Sequence, residues 1–308
     1  MALPSASNTS SAALLLASLN ACTGGGAGGN DSSTPPPPPA RNDISEQQAA
    51  RFLQQAALSS TAAEIAEVRG HGYSGWLDRQ FAAPRNQSHW DWMAGRGYHA
   101  DANNANNFNG ADNTFWRKLI SAPDTLRQRM VLALSEIFVV SMVGLPVAWR
   151  GFCIAHYVDL LEQHAFGNYR QLLEAVTLST GMGNYLNLRG NQKEDTKTGR
   201  VPDENYAREV LQLFSIGLYQ LNPDGSVITD GNGKPLESYT QDSITGPARV
   251  FTGWEYDGYN KADPGFQQRP LVFNAARHSA LEKRFLGVTI AAGTPGTDAM
   301  RIALDSIA

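Results

Sequence analysis

Gly199-Arg-Val-Pro-Asp-Glu-Asn-Tyr-Ala-Arg-Glu-Val-Leu-Gln-Leu-Phe-Ser-Ile-Gly217 is the stretch on which the reading of this chain turns. Pro202 suits a first helical position, where no N–H is needed, and Asp203 and Glu204 place negative charge at the positive end of a helix dipole. Gly217 supplies the left-handed residue that ends many helices. Between them Tyr206, Val210, Leu213 and Phe214 recur at helical spacing as an apolar stripe. Asn205, Arg208, Glu209 and Gln212 fall on the opposite side. The spacing predicts an amphipathic helix, and the role of its polar face is the functional question.

Composition narrows the field around that helix. A chain of 308 residues, 42% hydrophobic and 18% charged, has material for one core or two small ones. A net charge of −4, with no basic cluster, argues against nucleic acid as a main partner. Residues 1–22 read as a signal peptide: the short apolar run Ala12–Leu19 leads into Leu19-Asn-Ala-Cys22, which resembles a bacterial lipobox with Cys22 as the lipid-bearing residue. No Lys or Arg precedes the run, and Asn20 is unusual at its position. Residues 23–45, with a glycine-rich run and Pro35–Pro39, form a linker suited to holding a domain off a membrane surface. With Cys22 lipidated, Cys153 stands alone and reads as a small buried hydrophobe.

From residue 46 to 308 the pattern is that of a multi-helical, mainly α domain. Ser45-Glu-Gln-Gln48 and Thr61-Ala-Ala-Glu64 are capping boxes; the second helix is expected to end at Gly70 and a third to carry Trp76, Leu77 and Phe81. Residues 84–113 read as a long polar loop. Met130–Val147 is apolar enough to raise a membrane span, against which Glu136, Gly144 and Pro146 count. The stripe Trp149, Phe152, Cys153, His156, Tyr157, Leu160, Leu161 and His164 predicts a core helix, and Tyr169–Thr180 another. Gly181–Arg200 reads as a loop. A small β-hairpin excursion is expected around residues 218–239, punctuated by Pro223-Asp-Gly225 and Asp230-Gly-Asn-Gly233. Thr240 is expected to open a helix towards Trp254 that kinks or restarts at Gly246-Pro247. Thr297–Ala308 begins a helix without a stop signal, as in a fragment truncated at its C-terminus.

The common catalytic signatures (nucleophile elbow, zinc-binding His-Glu-x-x-His, P-loop, Rossmann glycines) are missing from the sequence, and no Cys/His cluster calls for a metal or cofactor. One resemblance does emerge. Pro202-Asp-Glu-Asn-Tyr-Ala-Arg-Glu209, Leu213-Phe-Ser-Ile-Gly217 and Ala248-Arg-Val-Phe-Thr-Gly-Trp254 resemble the signature of the bacterial domain of unknown function (DUF) 1800 family. Ala50-Arg-Phe-Leu53, Gly75-Trp-Leu-Asp-Arg-Gln-Phe81, Gly167-Asn-Tyr-Arg-Gln-Leu172, and His278 with Lys283 and Leu286-Gly287 fit the same family. The resemblance implies an exported, mostly helical protein of unestablished activity, often encoded beside an exported protein of the DUF 1501 family. The chain departs from the family at Asp203, at Leu134-Ser-Glu136 and at Gly246-Pro247.

Two functions follow as expectations. One is a lipid-anchored envelope protein, in the periplasm or at the outer membrane surface, that binds or assembles with an exported DUF 1501 partner or a surface polymer. The other is a hydrolase-type enzyme in which Glu204 or Glu209 is acid or base, Arg208 holds an anion, and Asn205 and His278 assist. Glu204 and Glu209 point about 140° apart around a helix, so they are not by themselves a two-carboxylate hydrolytic pair.

Overall fold

The computed structural model describes residues 44–308. The leader, Cys22 and the tether up to residue 43 lie outside the described residues. The described chain is mainly helical, 51% by residue, with two small antiparallel sheets of two strands each. It divides into two compact units: the described residues up to Pro84 together with Ala122–Arg129, and Arg85–Ser121 together with Met130–Ala308.

The first unit is built on helices α1 (Glu46–Ala56) and α2 (Ala62–Ala82). Both predicted capping boxes are present: Ser45 and Thr61 each accept a backbone N–H three residues on, and Gln48 and Glu64 reach back. Phe52 packs edge-on against Trp76 with ring centroids 5.2 Å apart. The break in α2 falls at Gly72 (φ 73), not at the expected Gly70, because only Gly72 takes the left-handed conformation that glycine permits. Gln80 closes the unit, donating to the Pro123 carbonyl and accepting from the Leu126 N–H. Helix α5 (Thr125–Ile137) begins in this unit and ends in the second.

In the second unit the expected loop over 84–113 is largely structured. It holds α3 (His89–Gly95), a 3-10 turn (Ala102–Asn106) and the start of α4 (Ala111–Ser121). The reason lies outside the loop's own sequence. Besides the Ser88 cap, the Asp159 carboxylate accepts the N–H groups of His89 and Trp90 at 2.7 and 2.9 Å, satisfying donors that a short helix otherwise leaves open. Helix α6 (Arg150–His164) is the centre of the core, with Phe152, Cys153, Ile154, Ala155, Tyr157, Val158 and Leu161 all buried. Burial lifts the Cys153 thiol to about 12, so it is an inert core residue as expected. Helix α5 stops at Ile137, and among the described residues no helix is long and apolar enough to cross a membrane.

Helix α7 (Tyr169–Thr177) is followed by a further buried helix, α8 (Thr180–Tyr185), where a loop was expected from Gly181. Ser179 caps it by accepting the Met182 N–H. The signature helix α9 is shorter than the sequence implies, Asn205–Gln212. Pro202 and Asp203 precede it, and Gly217 turns with φ 75 well past its end, donating its N–H to the Leu211 carbonyl. The buried stripe is Tyr206, Ala207, Val210, Leu211 and Phe214; Leu213 is 59% exposed, although its backbone is still helical and its N–H bonds the Glu209 carbonyl.

The excursion at 218–239 pairs as short antiparallel bridges, Tyr219↔Glu237, Leu221↔Val227 and Thr229↔Pro235. Helix α10 (Asp242–Val250) runs through Gly246-Pro247 with no restart. Strands β1 (Trp254–Glu255) and β2 (Val272–Phe273) pair antiparallel. So do β3 (Lys283–Phe285) and β4 (Val288–Ile290), joined by Leu286 (φ 46) and Gly287 (φ 77), the doubly positive pair of a type I′ hairpin. Gly246 is where α10 meets this hairpin: a Cβ there would lie 2.3 Å from the Arg284 carbonyl oxygen. Helix α11 (Gly296–Ile307) completes the core with Ala299, Met300, Ala303 and Leu304.

Candidate functional site

The signature helix is anchored from below by its apolar side. Tyr206 packs edge-on against Phe251 (centroids 4.8 Å apart), and its hydroxyl shares a 2.6 Å hydrogen bond with Thr177. The Phe214 carbonyl accepts a short hydrogen bond from the Tyr169 hydroxyl. These contacts fix which way the polar side faces: across to α10 and to the loop before it.

That side is neither free surface nor core. The Glu204 and Arg208 side chains are 34% and 40% exposed and pair at 3.2 Å. Glu204 also accepts from Gln241 Nε2 at 2.8 Å and from Thr245 Oγ1 at 3.4 Å, and Arg208 donates to Gln241 Oε1 at 3.3 Å. This i, i+4 pair is thus one edge of a network that ties α9 to α10. Asn205 donates its backbone N–H to Asp203 Oδ1 at 2.8 Å, so it belongs to the turn leading into the helix. Glu209 differs: its Oε2 is buried and has no hydrogen-bond partner among the described residues, as is the Tyr239 hydroxyl.

His278 lies elsewhere. Its Nδ1 is 3.1 Å from Thr252 Oγ1 and 3.0 Å from the Thr252 carbonyl, its Nε2 is buried without a hydrogen-bond partner, and no hydrogen bond joins it to α9 among the described residues. Burial first, then the nearby Lys283 charge, hold it below its usual range, with the Thr252 bond opposing. Beside it Ser279 donates to the Glu194 carboxylate (2.9 Å to Oε2), and the buried Lys283 ammonium donates to the carbonyls of Ser279 and Leu281 at 2.9 Å. His278 and the Ser279 N–H therefore tie the segment between β2 and β3 to Thr252 just past α10, and Lys283 braces that segment internally. The structure does not bring them together with Glu204 and Arg208 as one catalytic group.

What adjoins the signature is a concavity of ≈270 Å³ at its leading end, lined by Asn187, Arg189, Asn191, Gln192, Arg200 and Asp203 among others. Asn191 holds this wall in place. Its Oδ1 accepts the Asp203 N–H at 2.9 Å, its Nδ2 donates to the Asp203 carbonyl at 3.1 Å, and its own carbonyl accepts the Gly253 N–H at 2.9 Å. Two of the stretches that carry the resemblance, 202–209 and 248–254, are thus joined through Asn191. A model of the family described as "Protein of unknown function (DUF1800)" matches residues 51–308. The chain belongs to the DUF1800 family. No curated protein and no solved structure matches it.

In this DUF1800 chain the sequence reading missed one cluster altogether. His89, Asp159 and Glu162 bring ligand-type atoms within 4.8 Å of one another, an arrangement that could hold a metal ion. Lys118, itself buried, reaches Glu162 in a short ion pair, and Thr114 Oγ1 sits 3.1 Å from His89 Nδ1. With an ammonium already seated against Glu162, the cluster reads as a buried charge network that ties α3, α4 and α6. Burial, then Lys118 and Arg117, push His89 down to about 3; burial raises Asp159 to about 6 against the two backbone N–H groups that lower it. Asp159 and Glu162 at i, i+3 on an otherwise apolar helix was the available signal. Lys118 and His89 lie on helices whose buried faces sequence periodicity did not reveal.

Proposed function

We propose that this DUF1800 protein is an exported envelope protein, anchored through a lipid on Cys22, that binds or assembles with an exported partner of the DUF 1501 family or with a surface polymer. The observation that carries this reading is the use of the Glu204 carboxylate. It accepts hydrogen bonds from Arg208, Gln241 and Thr245 of its own chain, which favours a structural role for the signature face over acid–base work on a substrate. Capture of the tagged, full chain from intact membranes after mild cross-linking is the test. Recovery of an exported partner in stoichiometric amount, or an altered surface polymer on deletion, supports it. Neither partner nor polymer change overturns it.

A second reading, a hydrolase working from the polar face of this helix, draws support from Glu209, whose buried Oε2 lacks a hydrogen-bond partner and whose carboxylate acts electrostatically on Tyr239. Release of sugar or phosphate from isolated envelopes by the wild type but not by Glu209→Gln would favour it. Equal release by both would remove it.

A further inference from the structure

We propose that the concavity beside Asp203 binds a small oxyanion, the carboxylate of an acidic sugar or a phosphate group. The inference rests on Arg189 and Arg200, which both line it. Arg189 is set in place by a buried scaffold. Its Nε donates to Asn184 Oδ1 at 2.9 Å, the same oxygen accepts the Tyr256 hydroxyl at 2.8 Å, and Asn184 in turn donates to the Thr180 carbonyl at 2.6 Å. The guanidinium lies over the Tyr256 ring at 4.5 Å. Among the described residues its two terminal nitrogens donate to no protein acceptor, so they remain free to bind a ligand in the concavity that Arg189 lines. Arg200 is held through Nε by the Lys193 carbonyl at 3.0 Å, again leaving its terminal nitrogens for a ligand.

A guanidinium fixed in this way recognises a carboxylate or phosphate through two parallel N–H bonds, with little rotamer entropy left to lose. Asp203 also lines the concavity, its Oδ1 accepting the Asn205 N–H and its Oδ2 the Asn187 Nδ2 at 3.4 Å, so the lining sets two guanidiniums against one carboxylate; Asp195, which feels the Arg200 charge, lies outside the lining. The size of ≈270 Å³ lies just below the lower end of ordinary small-ligand sites, roughly 300 Å³, and suits one sugar unit or one phosphate. This site is independent of the partner reading and stands or falls by its own titration.

The test is calorimetric titration of the purified chain with D-galacturonate, with inorganic phosphate, and with D-galactose as the uncharged control. Binding of galacturonate, phosphate or both, with none of galactose, is expected, and which anion binds distinguishes the two sources. Arg200→Gln, at an exposed position, should leave thermal unfolding unchanged while weakening binding by about tenfold or more, and Arg200→Lys should not restore it. Arg189→Gln should act likewise, but it also loses its stacking on Tyr256, so Arg200→Gln decides. No binding of either anion, or binding equal in wild type and Arg200→Gln, would overturn the proposal.

Discussion

Asn191 holds Asp203 by both of its backbone groups, accepting the N–H at 2.9 Å and donating to the carbonyl at 3.1 Å. The amide side chain thereby replaces a missing stretch of secondary structure at the approach to α9. Asn191→Asp removes the donor and turns an attraction into repulsion at the Asp203 carbonyl. A loss of about 1–3 kcal/mol in urea unfolding is expected, with weaker anion binding at the adjoining concavity. Unchanged stability would mean that the clamp is dispensable.

Gly246 separates α10 from the β3–β4 hairpin by the width of a hydrogen atom. Because a Cβ there would lie 2.3 Å from the Arg284 carbonyl oxygen, Gly246→Ala forces backbone apart and should cost about 1–3 kcal/mol or more. Gly231→Ala is the control, since nothing lies within 4 Å of its added Cβ; its effect should stay within about 0.5 kcal/mol. Thermal or urea unfolding of the two variants side by side checks this.

Lys118 and Glu162 form a buried pair, and such pairs are costly to break from one side only. Lys118→Met should destabilise by about 3–5 kcal/mol, because the Glu162 charge loses its balancing cation. Adding Glu162→Leu should recover most of that loss in a double-mutant cycle. Additive losses in the cycle would show that the two charges do not depend on each other.

Acid should loosen the core through histidines buried as neutral rings. His89 and His156 are pushed by burial to about 3 and about 4, so between pH 6.5 and 4 the unfolded chain takes up two protons that the folded chain refuses. Asp159, raised to about 6, works the other way: the folded chain gains its proton first. The balance is one proton in favour of the unfolded state, so stability falls as pH drops through this window, by about 1.4 kcal/mol per pH unit. His156→Gln should flatten the slope, as read from urea midpoints at pH 7, 6, 5 and 4. Equal slopes in the two proteins would contradict the assignment.

The sequence exposed what local chemistry controls. Ser45-Gln48 and Thr61-Glu64 were legible as helix starts because both partners of each capping box lie within three residues. The core role of α6 was legible from periodicity, and the mainly helical class followed. Helix α3 was not, since its start depends on Asp159, 70 residues away from His89. Helix α8 hid behind Gly181 and Gly183, which look like loop residues; Gly183 is small because a Cβ would lie 2.6 Å from Leu271 Cδ1. Of the kink or restart expected at Gly246-Pro247, the restart does not occur: Pro247 lies inside α10. The family signature lies beside a concavity, and its polar face is engaged with a neighbouring helix. The polar side of α9 is tied to α10, while the open concavity lies in front of Asp203. His278, expected to assist Glu204 and Arg208 in the hydrolase reading, belongs to a separate network around Thr252 and Lys283.

The polar face of α9 is part of the framework of the fold. Urea unfolding of Glu204→Ala tests it most directly, because that change removes the acceptor shared by Arg208, Gln241 and Thr245. A loss of about 1 kcal/mol is predicted. Unchanged or increased stability, the behaviour of a group kept for chemistry at the expense of the fold, would contradict it.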